Sequence, residues 1–541
     1  MKGFQLLVLS ILSGLLLGLS WYFNLSFVAF FAFIPLLLIE ENLSQNKLQI
    51  KRIKLKLFFY SFITFLIWNL IVTWWVVNAS FGGALMAFFV NSLLMAFVFL
   101  IYHSIKNKLN TVWVFLPIYL AWEYIHTLWD ISWTWLTLGN VFAYHTNWIQ
   151  WYELTGVSGG SLWVLSVNVF CFQLLKNYKI NSILSKQLLQ FASLIIIPII
   201  LSYAILFIRV SNLNTTVAKE ECVIVQPNLD PYNEKFYTEF NTQFLNMLSQ
   251  VRGKINLNTK YLLLPETFMI NDMDETHIES YEEIRWFKDS LLKYFPQLNI
   301  ITGASTYKFY NSKLDASLTA RFDERNNAYY DMFNTALLIN TKGIQVYHKS
   351  KLVPGVEKMP FPLILKPLEK LAINLQGTVG SLGVQNDRSN LICNNNVSIA
   401  PVICYESVYG DYVTGYVKNG ATILAIITND GWWGNTPGYK QHLNYARLRA
   451  IETRKQIMRS ANTGISAKID EFGTVLNATE YEKNAVIVTG VTSNTIKTFF
   501  VKFGDIISYS SVIFTICLLV LQFYLKLKIK KAVKITLSQK S

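Results

Sequence analysis

The chain has 541 residues, of which 52% are hydrophobic and 15% charged, where an ordinary soluble protein carries about 25% charged residues. That balance excludes a chain that faces water throughout. A formal charge of +14 would suit nucleic acid, but the location of the basic residues excludes that partner: they collect beside apolar runs, as in Lys51, Arg52, Lys54 and Lys56, in Lys106 and Lys108, and in Lys526, Lys528, Lys530 and Lys531, and the remainder of the chain is close to neutral.

A membrane-spanning helix needs about 20 mostly apolar residues. Segments 4–20, 25–40, 57–77, 84–103, 112–128, 160–175 and 190–208 approach or meet that requirement, and 509–525 follows near the C-terminus. The expectation is a polytopic α-helical membrane domain with eight spans. Seven lie in residues 1–209, and 506–541 supplies the eighth and a basic tail. Loops 41–56, 104–111 and 176–189 are lysine-rich, whereas the opposite loops, including 129–159, contain no lysine or arginine. Positive charge stays inside, so both termini are expected in the cytoplasm and segment 210–505 outside it.

Residues 210–505 have a soluble composition. Short apolar, β-branched runs recur there: "CVIVQP", "YLLLPE", "NIITGAS", "TALLINTKGIQVYHK", "SIAPVICYE", "TILAIITND" and "NAVIVTGV". Helix-like stretches such as 239–252 and 440–458 separate several of them, which predicts an α/β domain with buried strands. "INTKGIQVY" reads as a hairpin with Gly343 in its turn. Of the five cysteines, Cys171 and Cys517 fall in apolar runs. Cys222, Cys393 and Cys404 lie outside them without a CxxC pair, so neither a zinc site nor a disulfide framework is indicated. A Cys222–Cys393 bridge is compatible with this count, but the spacing gives it no support.

Three strand ends carry reactive groups: Glu266 after "YLLLP", Lys349 in "QVYHKSKLVPG" and Cys404 after "SIAPVI". Singly, each has an ordinary explanation as a helix cap, a solvated lysine or a packed thiol. Together they supply a proton acceptor, a fixed cation and a nucleophile, which acyl transfer through a thioester requires.

In this order, "LLPE", "YHKSKLVPGVE" and "ICYES" resemble the Glu-Lys-Cys triad of the nitrilase superfamily, and "TNDGWWG" and "HLNYARLRAIETRKQIMRSANTGISAKIDEFG" resemble its later motifs. With seven spans before the domain and one after, and with "AWEYIHTLWDISWTWLTLGNVF" containing a WL-x-x-G element, the chain resembles the apolipoprotein N-acyltransferase family, a membrane-embedded branch of that superfamily. The resemblance implies an αββα sandwich outside a bacterial inner membrane, with Glu266 as general base, Lys349 as oxyanion cation and Cys404 as nucleophile. It also implies supporting or substrate-binding roles for Glu357, Tyr405, Glu406 and Trp432. The implied partners are a phospholipid acyl donor, a diacylglyceryl-cysteine apolipoprotein acceptor and membrane lipids, with no metal or other cofactor. A membrane-tethered amidohydrolase using the same triad is the alternative.

Two positions depart from the family pattern: Phe236 stands where tryptophan is expected, and His126 where arginine is expected. Lys351 is a second lysine near the motif, with the wrong spacing to "LVP". Glu123 in a span is either functional or paired with His126. The aromatic loop 129–159 reads equally as an interfacial belt or as a substrate-facing element. Arg447, Arg449, Arg454 and Arg459 read as scaffold salt bridges with Glu452 as their partner. Asn429 and Asp430 suit either the pocket or a turn.

Overall fold

The computed structural model describes residues 1–22, 25–46, 51–176, 183–212, 219–361 and 381–538. Parts of the lysine-rich loops, 47–50 and 177–182, lie outside the described residues. Among the described residues six helices are long and apolar enough to cross a membrane: Ser26–Gln45, Ile53–Thr73, Phe81–Leu109, Val157–Lys176, Lys186–Ser211 and Ile506–Ile529. The two other expected spans appear as shorter apolar helices, Gly3–Leu19 and Val112–Ile125. At one end of the bundle a buried ion cluster ties three helices together. Glu40 meets His103 at 2.7 Å and also Lys106, while Glu41 meets Lys106 and Lys176, each at 2.6 Å. Two lysines read as topology markers are therefore also structural partners.

The α/β domain has two sheets. In chain order the described strands are β1 (Glu220–Gln226), β2 (Thr259–Leu263), β3 (Met269–Asp274), β4 (Asn299–Tyr310), β5 (Arg321–Asp323), β6 (Ala328–Asn340), β7 (Gly343–His348), β8 (Leu391–Ile392), β9 (Ser398–Ile403), β10 (Ile423–Thr428), β11 (Ile457–Ala461), β12 (Ala467–Ile469), β13 (Val475–Ala478) and β14 (Ala485–Val491). The first sheet runs β14-β1-β2-β4-β6-β5, with β3 on β4 and β7 on β6; the second runs β13-β12-β11-β10-β9-β8. β1, β2 and β4 are parallel to one another, as are β9, β10 and β11. The expected hairpin is β6–β7, with Asn340 opposite Gly343 and Gly343 at φ 125°.

Strand periodicity explains the layering. Successive side chains point to opposite faces. Cys222, Ile224, Tyr261, Leu263, Ala336 and Leu338 join the core shared with the second sheet. Their neighbours Val223, Val225, Leu262, Leu337 and Ile339 pack instead with Phe244 and Met247 of helix Phe240–Val251 and with Phe287. Helices Gly410–Lys418 and Pro437–Thr453 accompany the second sheet.

Almost all of helix Pro437–Thr453 is buried, including Arg449 and Glu452, because its other side meets the aromatic loop. Trp135 Nε1 donates to Gln441 at 2.6 Å, and the Tyr445 hydroxyl donates to the Trp135 carbonyl at 2.8 Å. The WL-x-x-G glycine, Gly139, sits so close to helix Val157–Lys176 that an added Cβ would lie 2.0 Å from the Val157 carbonyl oxygen. Loop 129–159 is thus largely a docking surface rather than an interfacial belt: Trp135 and Trp151 are buried. Glu123 accepts the Leu138 N–H at 2.7 Å and so holds this loop. It does not pair with His126, whose ring nitrogens face Trp129 Nε1 and the Trp133 N–H.

Candidate active site

The C-terminal ends of parallel strands from both sheets converge, as reactive sites on open α/β sheets do. Glu266 follows β2, Cys404 follows β9, and Lys349 follows the β6–β7 hairpin. Two of these positions sit on strained backbone. Cys404 itself has φ 49°, and Thr267, directly after Glu266, has φ 48°. A positive φ is an outlier for a β-branched residue and persists only where its surroundings enforce it. Gly303 of β4 is part of that enforcement: a Cβ there would lie 2.3 Å from Thr267 N and 2.6 Å from the Glu266 Cα. Only glycine lets the sheet approach the turn that presents the carboxylate.

Lys349 is 1% exposed and shared between two carboxylates. Its Nζ donates to Glu266 Oε1 at 3.0 Å and to Glu357 Oε1 at 2.7 Å. Asn334 Nδ2 donates to the same two oxygens at 2.8 and 3.1 Å. Glu357 Oε2 accepts the Val353 N–H at 2.9 Å, which fixes the carboxylate at the rim. Burial alone would raise the Glu266 pKa, but the Lys349 ammonium, the Asn334 hydrogen bond and the nearby Lys235 ammonium outweigh it and hold the carboxyl below its ordinary value. Burial likewise opposes the Lys349 charge, and Glu266 and Glu357 outweigh it, so the ammonium stays protonated.

Cys404 differs from the simple expectation of a thiol acidified by a cation. Burial pushes the thiol pKa up, the Glu266 charge pushes it further, and Lys349 only partly opposes them. The resting pair is therefore a thiol beside an ionised carboxylate. That is the protonation state in which a carboxylate can accept a proton from a thiol.

A cavity of about 610 Å³ opens over these groups, lined by Glu266, Lys349, Glu357, Cys404, Tyr405 and Trp432. The membrane bundle and the aromatic loop also line it, through Val76, Met86, Val90, Leu94, Trp133 and Trp135. Trp432 stacks on Phe236 with ring centroids 6.2 Å apart, so phenylalanine at the departed position still meets the aromatic wall. Lys351 lies outside the lining, with Nζ over the Tyr409 and Tyr412 rings at 4.9 and 5.7 Å.

Glu406, expected among supporting or substrate-binding residues, does not line the cavity. It accepts the Ile403 N–H at 2.8 Å, the Ser350 N–H at 2.7 Å and the Tyr347 hydroxyl at 2.7 Å. It therefore ties the turn of Cys404 to the neighbour of Lys349. Tyr405 lines the cavity, and its hydroxyl donates to the Ser132 carbonyl at 3.2 Å. Cys222 and Cys393 are both free and buried, so no bridge joins them. Only Arg449 pairs with Glu452, at 2.9 Å; Arg454 pairs with Glu153 at 2.5 Å and Arg459 with Asp430 at 2.6 Å. Asn429 lines the cavity, while Asp430 also meets His442 at 2.8 Å. His442 Nε2 in turn lies 3.1 Å from the Cys404 carbonyl oxygen, bracing the strained turn.

Sequence reasoning missed Lys235 and Asn334. A polar residue within the apolar strand "MFNTALL" was a usable signal for Asn334. Lys235, in the polar stretch "LDPYNEKF", carries no local sign of its burial.

Residues 13–170 match the apolipoprotein N-acyltransferase N-terminal domain, and residues 225–499, half of the chain, match the carbon-nitrogen hydrolase family. The chain is 29% identical to the apolipoprotein N-acyltransferase of Chlorobaculum tepidum, over 93% of both chains. It is 25% identical to that of Thermotoga maritima, over 95% of this chain and 93% of the relative. Nit3 of Saccharomyces cerevisiae, a member of branch 10 of the nitrilase superfamily, aligns with 51% of this chain and 91% of its own, at 13% identity and a TM-score of 0.34. The chain belongs to the carbon-nitrogen hydrolase family, in the branch that joins this domain to the N-terminal domain of apolipoprotein N-acyltransferases.

Proposed function

We propose that the protein is a phospholipid-dependent N-acyltransferase that moves a fatty acyl chain, through a thioester on Cys404, to the terminal amine of a diacylglyceryl-cysteine lipoprotein. The observation that carries this reading is the cavity. Its lining combines the thiol, carboxylate and ammonium with apolar side chains of the membrane bundle, which suits substrates held in a bilayer by their chains. Each buried CH₂ is worth about 0.8 kcal/mol, so chemistry on such substrates belongs at the membrane and not in bulk water.

In the first half-reaction the Cys404 proton passes to Glu266 as sulfur attacks the ester carbonyl. The Lys349 ammonium and the Tyr405 backbone N–H receive the developing oxyanion. The C–O bond then breaks, Glu266 returns the proton to the departing lysophospholipid, and a thioester remains. In the second half-reaction the lipoprotein amine attacks that thioester, Glu266 takes its proton, and the C–S bond breaks. The amide product leaves and the Cys404 thiol is restored, which makes the kinetics ping-pong. Glu357 and Asn334 hold Lys349 and Glu266 in register.

The same reading takes Gly3–Leu19 and Val112–Ile125 with the six longer helices as eight crossings of a bacterial inner membrane. Both termini are then cytoplasmic, and the α/β domain lies on the periplasmic side. A phospholipid with a labelled acyl chain, incubated with the full-length protein and a diacylglyceryl-cysteine peptide, tests the reaction. Label in an amide on the peptide is the expected result. Label released as free fatty acid at the same rate with and without peptide would replace transfer by hydrolysis.

A further inference from the structure

We propose that Lys235 is a second catalytic cation of the site, whose ammonium holds the Cys404 thiolate once the sulfur proton has moved to Glu266. This rests on the reading above that Cys404 is the nucleophile. Lys235 lies in the segment between β1 and helix Phe240–Val251, is 1% exposed, and lines the same cavity as Cys404. Its Nζ donates to the Glu266 main-chain carbonyl at 2.8 Å, the one hydrogen bond its ammonium makes among the described residues.

The charge count of the cluster explains why a second cation belongs there. Two carboxylates, Glu266 and Glu357, face one ammonium, Lys349, which leaves a net negative charge beside the sulfur. Moving a proton from Cys404 to Glu266 transfers a negative charge onto sulfur without changing that total. Lys235 brings the total to zero, so the thiolate forms against a balanced field instead of a repulsive one.

The other groups facing these atoms are accounted for. Lys235 is faced by Glu266, by Cys404 and by the Phe236 ring, whose centroid lies 5.5 Å from Nζ. Cys404 is faced by Glu266, Lys349, Thr428 and Asp430. The Asp430 charge is already balanced by Arg459 at 2.6 Å, with His442 at 2.8 Å. Burial lowers the Lys235 pKa to about 8 against the pull of Glu266 and Cys404. The cation is thus present below pH about 8 and lost above it, which gives acylation an alkaline limb there.

The test is alkylation of Cys404 by iodoacetamide as a function of pH, on full-length protein in detergent, read by mass spectrometry of the Cys404 peptide. Lys235→Met should slow alkylation at pH 7 about tenfold or more, because a lost neighbouring charge shifts a pKa by about one unit or more. Lys235→Arg should stay near the wild-type rate. A Lys235→Met profile that superimposes on wild type overturns the proposal. So does equal slowing in both variants, which would assign the effect to shape instead of charge. Lys235→Arg, which keeps the charge, gives a second readout: its alkaline limb of acylation by phospholipid should move upward from that of wild type, and an unmoved limb also overturns the proposal. Wild-type protein that never accepts an acyl chain would overturn the proposed function, while the alkylation profiles would still report on Lys235.

Discussion

Two groups of buried charges in this molecule use the same residue types to different ends. On and after helix Pro437–Thr453, three arginines each meet a different carboxylate, Arg449 with Glu452, Arg454 with Glu153 and Arg459 with Asp430, while Arg447 donates to the Gly473 carbonyl, Asn444 and Thr146. Arg454 also reaches the Gln150 and Glu471 carbonyls. Under the cavity, one lysine serves two carboxylates and a thiol stands beside them. Among the balanced one-to-one pairs, Arg454–Glu153 fastens the α/β domain to loop 129–159, whereas the charges under the cavity are shared and stand beside a thiol. Burial is common to both groups; the sharing of charges and access to the cavity separate them.

The largest expected effect lies in the cluster under the cavity. Cys404→Ala should abolish acyl transfer while leaving the melting temperature of the full-length protein close to wild type. Glu266→Gln should lower the rate by about 10²–10⁴, the usual worth of a general base, measured as acyl-enzyme formation from phospholipid. If Lys349 is the oxyanion donor proposed above, Lys349→Met should lose about 10²–10³ in the same assay.

Substitution in the balanced group should act on stability instead. Arg454→Met leaves Glu153 without one of its cations; breaking a buried pair costs about 3–5 kcal/mol. Thermal unfolding should shift down sharply, yet the protein that remains folded should still acylate Cys404. Equal loss of turnover in Arg454→Met and Lys349→Met would erase the distinction between the two groups.

The pH dependence sharpens it further. The folded Glu266 carboxyl is held below its ordinary value. Its contribution to stability is therefore complete above the unfolded value of about 4.3 and is lost as pH falls through the lower folded value. The acid limb of acyl-enzyme formation should likewise fall below pH about 4.3. A limb near neutrality would contradict the assignment of Glu266 as an ionised base. The smallest effect belongs to Lys351→Ala, which removes a cation over two tyrosine rings and a 3.4 Å hydrogen bond to the Thr127 carbonyl and should leave turnover unchanged.

Much of this architecture was readable before any coordinates, for identifiable reasons. β1, β2, β9 and β10 are continuous apolar runs because they are buried on both faces. β11 is equally buried but contains Arg459 and Ser460, and its pattern is legible only once Asp430 is known to meet that arginine. The reactive trio could be found because each member ends an apolar strand. Lys235 could not, since its burial comes from packing of a polar loop against β2 and the cavity wall. Glu406 was found, but its task was not: the Tyr347 hydroxyl and Ser350 N–H from one segment and the Tyr416 hydroxyl from another converge on it with the Ile403 N–H. The aromatic loop showed its tryptophans but not their partners, which lie about 300 residues away on helix Pro437–Thr453.

The most direct test of the account is mass spectrometry of the full-length protein after exposure to phospholipid without any amine acceptor. A fatty-acyl mass on the peptide containing Cys404, absent in Cys404→Ser and discharged when a lipoprotein amine is added, is the predicted result. Acyl transfer to the amine that proceeds with Cys404 unmodified, or that survives Cys404→Ser, would contradict it.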